Sequence, residues 1–339
     1  MPQIKIKAPA KLNLHLQIGG RRPDGFHNID SLFLALAFGD TLHFETVPAS
    51  GTANYLEITT DWLFPAKKTA KNDIPPEKNI ISSAVSLFRQ YTGFDEKLKI
   101  AVKKRIPPGG GLGGGSSNAA STLLALNSLV STRKGCPVND DTLAEMGAAL
   151  GSDVPFFLKT ASGYNAARVS GRGETVQPFS LPKKARNLSF LLVSPGFPSD
   201  TAYAYRLLDE YREKGSPLAT CHSPLPIPHS LISHPPDQWP FFNDFLRVFE
   251  AFSDLEPVSG PLPFRYAGTV FKEIISGLKA AGAGFAGLSG SGSVCFGVFP
   301  SRPAALSAKK SLLKRNFYTC VSADTVLQLC IVETELIRQ

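Results

Sequence analysis

Residues 107–120 read Pro-Pro-Gly-Gly-Gly-Leu-Gly-Gly-Gly-Ser-Ser-Asn-Ala-Ala, and of these Pro108, Gly109, Gly110, Gly111, Leu112, Gly113, Gly114, Gly115, Ser116, Ser117 and Asn118 make a segment suited to phosphate. Glycines let a backbone close on a ligand and take positive φ. The alternation of Leu98 to Ile106 predicts a strand before the segment, stopped by Pro107-Pro108, and Ser116 to Val130 predicts a helix after it. In that setting the free N–H groups of the first helical turn, with the helix dipole, favour an anionic phosphate chain. Ser116, Ser117 and Asn118 can add side-chain donors. The plainer alternative is a flexible loop with an N-cap, but six glycines around one leucine are costly to order without some gain. No Gly-Lys-Ser/Thr follows at Walker A spacing. Gly109, Gly111 and Gly114 satisfy G-x-G-x-x-G, but so do Gly282, Gly284 and Gly287. The first acids beyond the loop are Asp140 and Asp141, too far on for the dinucleotide fingerprint, which disfavours an oxidoreductase.

Three further positions could act on a phosphoryl group. Asp153, in Gly151-Ser152-Asp153-Val154-Pro155, could orient or deprotonate an attacking hydroxyl. The alternative is a helix N-cap with proline in the first turn, and spacing does not decide between them. Lys11 interrupts an apolar strand pattern and could stabilise developing negative charge, although exposed lysines are commonplace. Gly287 to Ser293 is either a plain turn or a second loop over the phosphates.

The elements that must position these groups are mixed. Ile4 to Ile18 predicts two short strands around Ala8-Pro9-Ala10, with turns at Gly19-Gly20 and Pro23-Asp24-Gly25. Ser31 to Phe38 is a mostly apolar run, Thr41 to Thr46 reads as a strand, and Tyr55 to Thr59 is a strand candidate inside the loop-like stretch 49–76. Helices are expected over Asn79 to Tyr91, Thr142 to Leu150 (closed by Gly151), Thr201 to Arg212, Val270 to Ala281 and Ala304 to Arg315. Leu188 to Ser194 and Val294 to Phe299 read as strands, and Gly215 to Pro240 as an exposed loop. Unevenly spaced crossovers favour an α+β protein of two domains, 1–184 and 185–339, with the boundary near Pro182-Lys183-Lys184.

Of 339 residues, 43% are hydrophobic and 19% charged, which excludes a disordered chain. The net charge of +8 suits an anionic ligand. The basic residues are scattered, with no continuous basic face, so nucleic acid is not the expected partner. Five widely spaced cysteines without a C-x-x-C pair argue against a disulfide framework or zinc site. The N-terminus lacks the apolar core of a signal peptide, and the two long uncharged stretches are broken by Gly and Ser, so no membrane span and a cytoplasmic location are expected.

Ala8-Pro9-Ala10-Lys11-Leu12-Asn13-Leu14, Arg22-Pro23-Asp24-Gly25-Phe26-His27, Ser31-Leu32-Phe33, the loop from Pro107 to Ala120, Gly151 to Pro155 and Gly290-Ser291-Gly292, in this order, resemble the GHMP kinases, a family of small-molecule kinases. The match is dense over the first half and patchy after about Ser194. The resemblance implies an α+β, two-domain GHMP-kinase fold with the active site in the inter-domain cleft. ATP would be the phosphoryl donor, wrapped by Gly109 to Asn118, with Mg²⁺ expected but no protein ligand assigned to it. The acceptor would be the hydroxyl of a small molecule carrying a cytidine diphosphate moiety. Asp153 becomes the implied base and Lys11 its partner in polarising the hydroxyl. Asn13 and His27 become substrate-binding groups, His27 reading cytosine, with Phe26 and Tyr205 stacking on the base. The family usually has Tyr where Phe26 stands, and Asn243-Asp244-Phe245 lacks a following acid and takes no role. A GHMP kinase for another alcohol, and a catalytically silent sensor of the same fold, are the alternatives; a nucleic-acid module is a distant third.

Overall fold

A computed structural model describes residues 2–47, 55–63, 75–134, 137–215, 229–253, 267–314 and 330–337. The alternating residues near the N-terminus form one strand, β1 (Gln3–Arg21), which runs through Pro9 instead of breaking there. It pairs with β2 (His27–Val47). Gly39 of β2 lies so close to Ala8-Pro9 that a Cβ there would stand 2.3 Å from the Ala8 carbonyl oxygen. A bare glycine opposite the proline makes room for the continuous strand. Gly19-Gly20 also lie within β1, and the turn falls at Arg22 to Phe26, where Gly25 takes φ 84°. Ser31 to Phe38 and Thr41 to Thr46 are likewise one strand, β2.

The chain forms two compact units that interleave in sequence: Met1–Ala10, Phe38–Ile106 and Gly113–Tyr164 in the first; Lys11–Ala37, Pro107–Leu112 and Asn165–Gln339 in the second. The single cut read near Pro182 falls inside the second unit.

In the first unit β3 (Leu56–Trp62) runs parallel to β4 (Lys97–Lys104). Strand β4 is antiparallel to the end of β2, from Thr41 opposite Lys103 to Val47 opposite Lys97. Its Leu98, Ile100 and Val102 are buried while Lys99, Ala101 and Lys103 are exposed, the period of a half-buried strand. Helix α1 (Ile80–Thr92) is capped by Asn79, whose side chain accepts from Ile81 N at 3.0 Å, and stops at left-handed Gly93. It buries Ile81, Ala84, Val85 and Phe88. Helices α2 (Gly114–Lys134), α3 (Asp140–Leu150) and α4 (Val154–Ala161) complete this layer. Each fully buried Leu or Phe contributes about 1.5–3 kcal/mol.

In the second unit β5 (Ala166–Gly171) pairs with Ile29 to Leu34 of β2, and β6 (Thr175–Pro178) pairs with β5. A separate antiparallel sheet is ordered β10-β7-β9-β8, from Cys330–Glu335, Ser189–Ser194, Cys295–Phe299 and Phe285–Leu288. All six residues of β7 are buried, which explains why its sequence is nearly continuous in apolar residues. Helices α5 (Thr201–Glu213), α6 (Asp244–Ser253), α7 (Ala267–Ala280) and α8 (Arg302–Lys314) belong here, α7 packing on β9 and α8 on β7. Much of the two expected loops, 49–76 and 215–240, lies outside the described residues; the described end of the second contains 3₁₀ turns at His229–Ser233 and Pro236–Gln238. Among the described residues no helix is long and apolar enough to cross a membrane.

Candidate active site

Every carbonyl from Gly109 to Gly113 accepts a hydrogen bond inside the protein. Gly109 O takes Ser199 N (2.8 Å) and Ser293 N (3.2 Å), and Gly110 O takes Val294 N (3.2 Å). Gly111 O takes the Ser289 hydroxyl (2.9 Å), Leu112 O takes Lys11 N (3.0 Å) and Gly113 O takes Ser117 N (2.9 Å). Among the described residues none of the five N–H groups in this run donates to the protein. Gly109, Gly111 and Gly113 have φ of 63°, 73° and 69°. With carbonyls tied to the framework, the N–H groups of the run are left unspent, the arrangement an anion-binding nest requires. A Cβ at Gly111 would lie 1.9 Å from Ser289 O, so that position needs glycine.

The first turn of α2 is built around a buried carboxylate. Asp40, fully buried, accepts from Arg105 N (2.6 Å), Ile106 N (2.8 Å) and Lys104 Nζ. The Asn118 amide, in the orientation that satisfies its neighbours, donates to Asp40 Oδ2 (3.0 Å) and Gly114 O (3.2 Å) and accepts from Lys104 Nζ (2.9 Å). Its donors are therefore spent on the framework, not offered outward as the sequence suggested. Ser117 differs: its buried hydroxyl has no partner among the described residues. Sequence reading missed Asp40 and Lys104, because only the fold brings them together.

In the second unit Lys11 and Asn13 lie beside both glycine loops. Lys11 is 4% exposed, its Nζ 2.5 Å from Asn13 Oδ1 and 4.6 Å from the Phe33 ring centroid. Asn13 donates from Nδ2 to Ser31 Oγ (3.0 Å) and from its backbone N to Ser289 Oγ (3.3 Å). Ser289 thus links Asn13 to Gly111. His27 is buried and stacks on Tyr205, centroids 5.0 Å apart and planes at 19°. Phe26 is 54% exposed, with the Arg172 guanidinium 5.1 Å from its ring. The ring facing Tyr205 is thus that of His27, beside which Phe26 stands in the chain.

Asp153, in the first unit, occupies the position before α4 with φ −83° and ψ −13°, and its side chain makes no cap hydrogen bond. The capping alternative therefore does not describe this carboxylate.

Of two residues noticed but given no role in the sequence, Asn243 braces the second loop and Asp244 holds the end of β1. Asn243 Nδ2 donates to Leu288 O and Gly290 O, each at 2.8 Å, while its Oδ1 accepts from Phe245 N at 2.9 Å. Asp244 accepts from Ile18 N at 2.8 Å, and burial pushes its pKa above the ordinary carboxylate value against the pull of that bond, Arg247 and Arg212. His15 is fully buried; its Nδ1 accepts from Phe242 N (3.3 Å), and burial lowers its pKa to about 4.

Comparison with known proteins agrees with this geometry. Residues 79–160 match the GHMP kinases N terminal domain and residues 244–319 the GHMP kinases C terminal family. The 4-diphosphocytidyl-2-C-methyl-D-erythritol kinase of Thermodesulfovibrio yellowstonii is 32% identical over 96% of this chain and 99% of its own length. The enzyme of the same name from Treponema pallidum is 33% identical over 93% and 96%. A crystal structure of 4-(cytidine 5'-diphospho)-2C-methyl-D-erythritol kinase superposes with TM-score 0.66 at 25% identity, covering 98% of this chain and 99% of that one. The mevalonate kinase of Methanococcus jannaschii, at 14% identity and TM-score 0.63 over 99% of both chains, shares the fold. The chain belongs to the GHMP kinase family and, within it, to the group of relatives named 4-diphosphocytidyl-2-C-methyl-D-erythritol kinase. It is an α+β small-molecule kinase with ATP as phosphoryl donor.

Proposed function

We propose that this protein transfers the γ-phosphoryl group of ATP to the 2-hydroxyl of 4-diphosphocytidyl-2-C-methyl-D-erythritol, a step of the non-mevalonate route to isoprenoid precursors. The observation that carries the nucleotide half is the run from Gly109 to Gly113, whose carbonyls are spent inward and whose N–H groups are not. Phosphoryl transfer needs positioning and charge stabilisation more than covalent help, which such a loop supplies. Pro108 to Ser117 hold the phosphates, and Asn118 supports them by fixing the first turn of α2. The acceptor oxygen attacks the γ-phosphorus, the bond to the β–γ bridging oxygen breaks, and ADP leaves. Asp153 takes the hydroxyl proton, and the Lys11 ammonium offsets the negative charge that develops on that oxygen. Asn13, Phe26, His27 and Tyr205 hold the cytidylyl substrate, aromatic faces suiting a flat base.

Mg²⁺ accompanies ATP in this reading and neutralises charge on the phosphate oxygens. Among the described residues no three His, Cys, Asp or Glu side chains are grouped to hold a metal. The fit is to an ion carried mainly by phosphate oxygens and water, as Mg²⁺ prefers, with the orphaned Ser117 hydroxyl as the protein oxygen on offer.

The test is ADP release with Mg²⁺-ATP and the cytidylyl substrate, wild type against Asp153→Asn. The expected result is substrate-dependent turnover that falls about 10²–10⁴-fold in the variant. A folded, ATP-binding wild type without turnover contradicts the substrate; full activity in Asp153→Asn contradicts the base.

A further inference from the structure

Helix α5 brings Tyr205, Asp209 and Arg212, one turn apart, against the end of β1 and the start of β2. Arg212 donates to Gly19 O at 2.7 Å and to Ile18 O, which fixes the helix on the strand. Tyr205 stacks on His27. Asp209 Oδ1 stands 3.4 Å from His27 Nε2, and the Asp209 side chain is 26% exposed. No other partner of this carboxylate exists among the described residues.

The hydrogen on the imidazole is placed by its other side. His27 Nδ1 is 3.0 Å from Gly19 O, and a carbonyl oxygen only accepts, so Nδ1 carries the hydrogen. Nε2 is left to face Asp209 Oδ1 across 3.4 Å, longer than a good hydrogen bond, so this partner holds the carboxylate only loosely. Beside a stacked pair of rings, a loosely held, partly exposed carboxylate suits a flat ligand with an N–H-bearing edge. The 4-amino group of cytosine has two such hydrogens, and a carboxylate is its natural acceptor. Uracil presents an oxygen at that position and would be repelled.

We propose that Asp209 is a specificity-determining residue: its carboxylate, beside the His27–Tyr205 stack, accepts the exocyclic amino group of the substrate's base and so selects cytosine over uracil. This rests on the cytidylyl-substrate reading above. Nothing in the sequence marked Asp209, whose neighbours come from segments about 180 residues away along the chain.

The experiment compares kcat/KM for the cytidylyl substrate and its uridylyl counterpart in wild type, Asp209→Asn and Asp209→Leu, with thermal melting as the folding control. Wild type is expected to prefer the cytidylyl compound. Asp209→Asn, which exchanges an acceptor for a donor, is expected to lower that preference by about tenfold or more, through KM and not kcat, and to improve use of the uridylyl compound. Asp209→Leu is expected to lose the preference without that gain. An unchanged preference in folded Asp209→Asn and Asp209→Leu overturns the role of Asp209 and leaves the kinase reading intact. A wild type that turns over neither compound removes that reading and this inference together, and the missing wild-type rate tells the two failures apart.

Discussion

Gly109 to Ser117 and Gly287 to Ser293 are both built from glycine and serine around a single leucine. Both surrender carbonyls to the framework, and they differ in how far their N–H groups are spent. The first loop surrenders its carbonyls to the framework and keeps its N–H groups. The second spends N–H groups: Ser293 donates to Gly109 O, Gly292 to Ser289 O and Ser289 to Val294 O. Its own Leu288 and Gly290 carbonyls are held by Asn243, and its Ser291 carbonyl by the Ser199 hydroxyl. The first keeps all five N–H groups of its run, whereas the second spends those of Ser289, Gly292 and Ser293 inside the protein. Glycine content says only that backbones must come close; which edge of the peptide remains free decides whether an anion can be held.

Gly111 is where the two loops touch, so it offers the strongest way to break the contrast. Gly111→Ala places a methyl 1.9 Å from the Ser289 carbonyl at a φ of 73°. Displacing the loops by about 1 Å is expected to cost roughly 10²-fold in kcat/KM for ATP. Steady-state kinetics at saturating acceptor would show it, and a wild-type value would mean the contact is dispensable.

His15 sharpens the bracing side, because its Nδ1 holds the backbone of Phe242 next to Asn243. Burial, its largest influence, lowers its pKa to about 4 from 6.5, so as pH falls the unfolded chain takes up the proton first. Its contribution to stability is whole above pH 6.5 and is lost progressively as pH falls toward 4, by about 3 kcal/mol in all. Urea unfolding of wild type and His15→Leu at pH 7.5 and 5 measures this. The stability lead of wild type should shrink at the lower pH, and comparing the two proteins cancels the opposite slope from Asp244. A lead that does not depend on pH would contradict a buried neutral imidazole.

The smallest expected effect is that of Asn243→Ala, which leaves two loop carbonyls without their donor. It should destabilise the protein by about 2 kcal/mol and raise the KM for ATP without a matching fall in kcat. Loss of stability with KM unchanged would make Asn243 a structural residue only.

Much of this site was legible as local pattern. The strand, glycine run and helix around Gly109 to Asn118 came from spacing and punctuation alone, and Lys11 stood out by breaking an apolar pattern, whereas the role given to Asp153 came from the family resemblance and not from its spacing. The helix starts read at Asn79 and Thr201 lie within one residue of those observed, where Asn79 and Asp200 prove to be the caps. Pro9 misled, since its tolerance depends on Gly39 in another strand. Strands β5 and β10 take their register from the distant β2 and β7, and β6 and β8 are only four residues long, so their own residues announce little. Asp40, Asn243 and Asp209 act through contacts that exist only after folding. Asn118 shows the converse: its type suited phosphate, and the fold spends it on Asp40.

Amide hydrogen exchange along the two loops, with and without Mg²⁺ and a non-hydrolysable ATP analogue, tests the central claim most directly. The amides of Gly109 to Gly113 are expected to exchange fast in the free protein and slow markedly with the nucleotide, while those of Ser293 and Val294 are slow in both states. Amides of Gly109 to Gly113 already protected without nucleotide, or unaffected by it, would contradict a phosphate site built from unspent backbone N–H groups.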